Sequence, residues 1–203
     1  MSPEERRNYL SLAARRVQPG SGSAPFEVRA RASVFTPPQV RCLLGDVPFA
    51  IVGGLATRRY MPERMTLDAD VLVCPADLPQ AEQALRNAGC RKRGPLTIGG
   101  NTWITPDGQV LDLIALEAPW TEEAVASAIT APDGQPYVAL PYLVLMKLAS
   151  SRVQDLADIS RMLGIADADT LDRTRTLVTQ HRPADAEDLE AIIQLGRLEQ
   201  GRA

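Results

Sequence analysis

Residues 49–73 carry the sequence FAIVGGLATRRYMPERMTLDADVLV, in which two apolar segments flank a polar middle. The first apolar segment, 48–52, is followed at once by Gly53 and Gly54 and then by LATRRY, a pattern that predicts a strand, a tight turn and a helix. The second segment, 65–74, predicts another strand. This strand–turn–helix–strand order indicates an α/β fold.

The second strand carries Asp68 and Asp70, which are two positions apart. Side chains at i and i+2 of a strand emerge on the same face, so the two carboxylates point together. They repel each other, and aspartate is depleted in strands, so a cation would relieve the cost. Magnesium favours such oxygen ligands together with water and substrate phosphates. The pair predicts a metal site; the alternative is a solvated strand face.

A third acid, Asp112, stands between Leu111 and Leu113 in a strand predicted over 109–116. A lone acid in apolar surroundings needs a partner or a cation. If this strand lies beside the one with the aspartate pair, the three carboxylates converge. In phosphoryl or nucleotidyl transfer a third carboxylate can bind a second ion and draw the proton from the attacking group. A salt-bridged structural acid is the alternative.

The glycine pair lies where a strand is predicted to meet a helix. Without a Cβ atom, the backbone of Gly53 and Gly54 can approach a phosphate, and the start of the helix offers free N–H groups. The same pair would also suit a tight turn that needs positive φ. The acids that follow after one helix favour the phosphate interpretation.

The remaining elements complete a mixed sheet followed by helices. Before the sheet, we predict a helix over 3–17, a linker over 19–25 and a short helix over 39–44. Within it, we predict a helix over 78–88 and a hairpin of strands 101–105 and 109–116 that turns at Pro106-Asp107-Gly108. After it, we predict helices over 121–129, 141–163 and the C-terminal residues. The fold class is α/β (α+β), with a mixed sheet and a helical C-terminal region. The expected divisions are 1–25, a catalytic domain over 26–118, and a helical domain over 119–203.

The composition gives information about the cellular environment of the protein but little about its activity. The net charge is −3, so a nucleic-acid contact would need a local patch. The densest basic run, residues 91–93, is interpreted as a solvated loop. Three dispersed cysteines and one histidine argue against a zinc site and suit a reducing cytoplasm. The N-terminus lacks a signal core, and no apolar run approaches the roughly 20 residues that cross a bilayer, so we expect no membrane association.

Three segments resemble the nucleotidyltransferase superfamily, specifically its minimal bacterial members and the AbiEii-like group of type IV toxin–antitoxin systems. They are residues 49–73 quoted above, VLDLIAL at 110–116, and LPYLVLMKLASSRVQDLADISRMLG at 140–164. The last is similar to a helix of the form KLxAxRxxDxxD in that group. The resemblance covers about residues 45–165 and implies a polymerase-beta-like nucleotidyltransferase fold.

The resemblance also implies site residues. Gly53 and Gly54 would lie at the triphosphate of a nucleoside triphosphate, and Lys147 would contact a phosphate. The ligands of Mg²⁺, or of Mn²⁺, would be the three acids Asp68, Asp70 and Asp112, the last as third ligand or base. Serine often stands at the position of Gly54 in active transferases, whereas the GG form is common in the toxin-like branch.

The predicted helix 141–163 gives independent information about two cations. Lys147 lies opposite the apolar stripe, which favours a solvated lysine. Arg152 falls within the stripe, so it would pair with Asp155 three residues on, snorkel outward or reach a ligand phosphate. Near the mouth of the DxD strand, Arg64 and Thr66 are further candidates for phosphate contacts.

Together these features predict an enzyme that moves a nucleoside monophosphate from a nucleoside triphosphate to a hydroxyl group and releases pyrophosphate. The acceptor could be RNA, a protein or a small molecule, and a toxin-like role with a cognate antitoxin fits the resemblance. One alternative is a non-catalytic member that binds a nucleotide or a partner protein through the same cleft. Another is a structural protein whose acids are solvated.

Overall fold

A computed structural model of the chain describes residues 1–17, 37–61, 64, 66–150 and 152–201. The linker predicted over 19–25 lies outside the described residues. Contacts group the chain into two compact units: a sheet unit, Ala30–Ala139, and a helical unit made of Met1–Arg29 and Leu140–Ala203. No helix of the described part is both long and apolar enough to span a membrane.

The sheet unit contains one seven-stranded mixed sheet in the order β3-β4-β5-β2-β1-β7-β6. Its strands are β1 Ala50–Val52, β2 Asp68–Val73, β3 Arg91–Pro95, β4 Gly100–Ile104, β5 Val110–Ala115, β6 Ile129–Thr130 and β7 Pro136–Tyr137. The β2–β5 and β1–β7 pairs are parallel, and the other neighbours are antiparallel. The predicted α/β class with a mixed sheet and a helical C-terminal region is confirmed.

Nine α-helices lie in the described residues, four of them in the sheet unit. In chain order they are α1 Pro3–Arg16, α2 Val40–Leu44, α3 Gly53–Arg58, α4 Leu78–Asn87, α5 Thr121–Ala126, α6 Leu140–Ser150, α7 Val153–Ile165, α8 Ala168–His181 and α9 Ala186–Glu199. Helices α2 to α5 belong to the sheet unit, and the other five belong to the helical unit.

The central strands have one buried face. Ala69 and Val71 of β2, and Leu111 and Leu113 of β5, are fully buried, and the residues that alternate with them at the start of each strand are half-exposed. Helix α4 follows β2 and buries its own apolar side, including Leu85. Period-two alternation on the strands and helical spacing on α4 therefore give the sheet a covered face and a partly open face.

Two predictions about the sheet unit are wrong in detail. The basic run 91–93 is part of edge strand β3 instead of a loop, because it pairs with β4 through a β-bulge. The helix predicted over 121–129 ends at Ala126, and the Ala131-Pro132-Asp133-Gly134 turn joins β6 to β7. Because β7 pairs with β1, residues up to 139 stay with the sheet.

The single helix predicted over 141–163 is two helices, α6 and α7. Arg152 has φ −80° and ψ 147°, which is extended backbone, and it is the N-cap of α7. The apolar spacing continues across the break, so the pattern alone reads as one helix. The two helices pack against each other within the helical unit.

Helix α1 joins the helical unit through a buried arginine. The Arg6 guanidinium pairs with Asp185, and its Nε donates to Asp188 Oδ2 at 2.6 Å. All three side chains are almost fully buried. The domain limits expected from sequence stay a prediction, but these contacts group α1 with residues 140–203 and the hairpin β6–β7 with the sheet.

Helices α7 and α9 approach each other at two glycines. A Cβ atom on Gly164 would lie against the backbone of Gly196, and a Cβ atom on Gly196 would overlap the carbonyl oxygen of Ser160. Since backbone meets backbone there, no side chain can rotate to make room.

We predict that Gly196→Ala lowers the free energy of unfolding by about 2 kcal/mol, because overpacking of this size forces the helices apart. At an unhindered glycine in a helix interior the same change would raise the free energy of unfolding by up to about 1 kcal/mol. The sign of the change therefore shows whether the two helices are in close contact at Gly196. Urea denaturation measures it. Gly94→Ala is the control, since a Cβ atom there meets nothing within 4 Å.

Candidate functional site

Three aspartates emerge on the partly open face of the sheet. In the parallel β2–β5 pair Asp70 lies opposite Asp112, and Asp68 lies opposite Val110 two residues earlier. Residues paired in register share a face, and so do positions i and i+2. All three residues are half-buried on that face. The prediction that the strand bearing Asp112 lies beside the DxD strand is confirmed.

The pairing is electrostatically unfavourable in the absence of a counter-charge. Like charges directly opposite each other on neighbouring strands destabilise a sheet. In addition, Asp112 Oδ1 is buried and accepts no hydrogen bond from any described residue. A buried carboxylate oxygen without a donor has a desolvation cost that a cation or a proton removes.

Gly53 packs directly against one of these acids. Its φ is +59°, which favours glycine, and a Cβ atom at this position would overlap the Asp70 carboxylate. The approach follows from register, because Val52 is the strand partner of Asp70 and the glycine is the next residue. Gly53 therefore meets two requirements at once, the turn and the space for the acid.

Gly54 makes room for a different side chain. A Cβ atom on Gly54 would lie 2.5 Å from Thr66 Oγ1. That hydroxyl donates to Asp68 Oδ1 at 2.6 Å. The glycine pair thus has one member against each side of the DxD motif, and Thr66 fixes the orientation of the first aspartate. Sequence analysis placed Thr66 near the site but did not predict this hydrogen bond, which joins residues two positions apart.

The acids do not form a ready-made metal cage. Within the described residues no three histidine, cysteine or carboxylate groups lie close enough together to hold a metal ion by themselves. Nevertheless, the donor set fits a hard cation: the available atoms are carboxylate oxygens, and one of them, on Asp112, is buried without a donor. Mg²⁺ commonly uses one or two carboxylates and completes its shell with water and phosphate oxygens.

The other predicted site residues divide between the two units. Arg64 is half-buried, and its backbone N–H donates to Met61 O at 2.9 Å. Lys147 and Arg152 belong to the helical unit, whereas the acids and the glycine pair belong to the sheet unit.

Lys147 is not a solvated lysine. Its side chain is buried, and Nζ donates to Asp155 Oδ1 at 2.9 Å and to Asp158 Oδ2 at 2.7 Å. The helix break explains the error: once α6 and α7 fold back on each other, the polar side of one predicted helix becomes the buried seam between two. The pairing neutralises the lysine locally.

Arg152 does not lie within the predicted apolar stripe, but it does form the predicted pair with Asp155. Its side chain is 75% exposed, outside any apolar stripe, because it precedes α7. Its Nε donates to Asp155 Oδ2 at 2.7 Å, as the spacing predicted. Burial raises the pKa of Asp155, but hydrogen bonds from Arg152 and Ser150 and the charge of Lys147 outweigh it, so the pKa lies below its usual range.

We predict that Gly53→Ala is markedly more damaging than Gly45→Ala. Both glycines have φ near +60°, so both variants incur the cost of a side chain at positive φ, about 1–3 kcal/mol. A Cβ atom on Gly45 meets nothing within 4 Å, whereas one on Gly53 displaces Asp70, adding about 1–3 kcal/mol. Urea denaturation of the two variants tests this; equal losses would show that the contact with Asp70 has no energetic weight.

We predict that Asp155→Asn lowers the free energy of unfolding by about 3 kcal/mol at pH 7, since it breaks a buried ion pair. Because folding lowers the Asp155 pKa, the ionised form stabilises the folded chain above about pH 4, and this contribution is lost as the pH falls through the folded pKa.

The difference between the wild type and Asp155→Asn should therefore narrow as the pH drops from 7 to 3, as followed by urea denaturation. Asp172→Asn removes an exposed pair with Arg175 and should cost below about 1 kcal/mol. A pH-independent difference for Asp155→Asn would contradict the prediction.

No protein-family model and no curated protein matches the chain. Among solved structures, it is similar to the antibiotic-resistance factor ANT(2″)-Ia in complex with adenylyl-2″-tobramycin, with 18% identity and a TM-score of 0.42 over 75% of this chain and 88% of that one. It is also similar to an H. pylori protein provisionally called a nucleotidyltransferase, with 16% identity and a TM-score of 0.43 over 86% and 92% of the two chains. Values this low do not establish a family.

Proposed function

We propose that the chain is a metal-dependent nucleotidyltransferase that moves a nucleoside monophosphate from a nucleoside triphosphate to a hydroxyl group. The observation that carries the proposal is the register of β2 and β5, which sets Asp70 opposite Asp112 with Asp68 on the same face. The close packing of Gly53 against Asp70 supports it, since the glycine turn and the acids then form one site.

In the proposed reaction the acceptor oxygen attacks the α-phosphorus of the triphosphate, and its proton passes to Asp112. The bond from the α-phosphorus to the oxygen that bridges the α- and β-phosphorus atoms breaks, and pyrophosphate leaves with the electron pair. Asp112 is assigned this role because it lies opposite Asp70 on the same face of the sheet, and a carboxylate within reach of the acceptor hydroxyl can act as general base.

The other residues of the sheet unit bind and orient. At most two of the carboxylates of Asp68, Asp70 and Asp112 would hold Mg²⁺ or Mn²⁺ at once, with water and phosphate oxygens completing the shell. When bound, the ion would neutralise charge on the phosphates and the reacting oxygens. Thr66 positions Asp68 through its hydroxyl. Gly53 and Gly54 make room for the Asp70 carboxylate and for Thr66. No side chain caps the first turn of α3, whose N–H groups would contact the triphosphate.

The residues proposed to contact the triphosphate all belong to the sheet unit: Gly53, Gly54, Arg64 and Thr66. Lys147 and Arg152 are assigned to the ion cluster of α6 and α7 instead, because Lys147 already has two carboxylate partners at hydrogen-bond distance. A toxin-like role, a cognate antitoxin and membership of the AbiEii-like group rest on the resemblance alone.

We predict that nucleotide binding appears as magnesium-dependent thermal stabilisation by at least one nucleoside triphosphate. The gain follows RT ln(1 + [L]/Kd), about 2.7 kcal/mol at 100 times Kd. Asp70→Asn should abolish the gain, because it removes a proposed ligand of the metal ion. Glu123→Gln changes an exposed acid of the same unit and is the control.

The same variants separate catalysis from binding. Label from an α-³²P nucleoside triphosphate should appear on an acceptor in a cell extract, and Asp112→Asn should slow this about 10²- to 10⁴-fold. Stabilisation without label transfer would favour the non-catalytic alternative. An absence of stabilisation by all four nucleotides, or transfer that survives Asp112→Asn, would contradict the proposed roles.

A further inference from the structure

The sheet unit has an open cleft whose walls come mainly from α3 and the β6–β7 hairpin. Its volume is about 350 Å³, at the small end of the range for small-molecule sites. Tyr137, one of the lining residues, lies opposite Ile51, and Ile51 lies opposite Val71. Val71 follows Asp70 on β2, so Tyr137 is on the face of the sheet away from the acids. None of the residues that line this cleft belongs to the proposed catalytic site.

One cation at the cleft has hydrogen-bond donors to spare. Arg59, which follows α3, is exposed, and its Cζ lies over the Tyr137 ring at 5.0 Å from the ring centre. Within the described part of the chain, its guanidinium has no carboxylate partner and donates no hydrogen bond. A contact with a ring face leaves the N–H groups of a guanidinium available, and their planar fork matches a carboxylate. Arg59 can therefore bind an anion beside the tyrosine.

The acid that lines the cleft, Asp133, is already engaged by the hairpin. Its Oδ1 accepts from the backbone N–H of Gln135 at 3.0 Å, and its Oδ2 accepts from the Tyr137 hydroxyl at 2.8 Å. Burial raises the pKa of Tyr137, and the hydrogen bond to Asp133 raises it further, so the hydroxyl stays protonated at neutral pH. With Arg58 and Arg59 also among the lining residues, the charge of the cleft is positive.

The remaining lining residues are apolar. Leu55 belongs to α3, Ala131 and Pro132 belong to the turn of the hairpin, and Pro37 lies in the segment before α2. A ligand in the cleft would thus meet aliphatic carbon as well as a guanidinium. Small-molecule sites commonly combine an apolar wall with a few polar groups that fix the orientation of the ligand. This combination favours a ligand with a flat apolar body and one anionic group.

We propose that the cleft is a binding site for a small aromatic carboxylate, with the carboxylate at Arg59 and the ring against Leu55 and Pro37. The inference does not depend on the proposed nucleotidyltransferase activity. A simpler role for Arg59 is to complement the dipole at the end of α3. That role accounts for the charge, but it does not account for the contact with Tyr137 or for the apolar walls beside it.

The test uses 2-naphthoate, a flat bicyclic carboxylate, and its neutral analogue 2-naphthamide. Titrations without nucleotide or metal are followed in ¹H–¹⁵N correlation spectra through the backbone amides of Leu55, Arg59 and Ala131. Naphthoate should shift these signals to saturation. Arg59→Gln should weaken naphthoate binding at least about tenfold, because it removes charge-assisted hydrogen bonds. Naphthamide should bind the wild type at least about tenfold more weakly than naphthoate does, for the same reason.

Arg91→Gln is the matched control. Arg91 is also an exposed arginine of the sheet unit, but it lies on β3, five strand spacings from β7. That separation is roughly 24 Å, which exceeds the screening length of about 10 Å at moderate salt. Naphthoate binding to Arg91→Gln should therefore equal binding to the wild type.

Three results would overturn the inference: no saturable shift of these amides by naphthoate, unchanged affinity in Arg59→Gln, or an equal loss of affinity in Arg91→Gln. Equal binding of naphthoate and naphthamide would also overturn it, because the carboxylate would then make no contribution. Failure of the proposed function is distinguishable, since it appears as an absence of magnesium-dependent stabilisation by nucleotide. Asp70→Asn, which removes a proposed metal ligand, should leave naphthoate binding unchanged.

Discussion

The structure of the sheet unit depends on the parallel pairing of β2 with β5, which sets Asp70 directly opposite Asp112. Two like charges at adjacent positions oppose that pairing. Their alternating neighbours favour it, because four of them are fully buried apolar residues: Ala69, Val71, Leu111 and Leu113. The apolar face therefore holds the strands in a register that places the carboxylates of Asp70 and Asp112 side by side on the other face.

That unfavourable register also explains the glycine turn. Val52 pairs with Asp70, so the next residue must pass beside the carboxylate as the chain leaves the sheet. A side chain at position 53 would occupy the same space as the acid. The glycine requirement at this turn thus comes from the opposing strand as well as from the backbone angle, and Thr66 imposes a similar requirement on Gly54 from the other side.

Sequence was sufficient where structure follows from local periodicity. The DxD strand, the turn after Val52, helix α4 and the β4–β5 hairpin each have their own spacing or turn residues. It was insufficient where a partner distant in sequence decides. Edge strand β3 forms because β4 is available to pair with it, and Lys147 is buried because the chain turns back at Arg152.

The pairing of Arg6 with Asp185 and Asp188 makes the helical unit discontinuous in sequence, with the whole sheet unit lying between its two parts. During synthesis α1 is made before the sheet unit, and its carboxylate partners follow about 180 residues later. Translation adds about 5–20 residues per second, so the delay is on the order of 10–40 s. The sheet has time to fold in that interval, while α1 waits without its partners. The ion pairs between Arg6 and the two aspartates can therefore form only after the whole sheet unit has been synthesised.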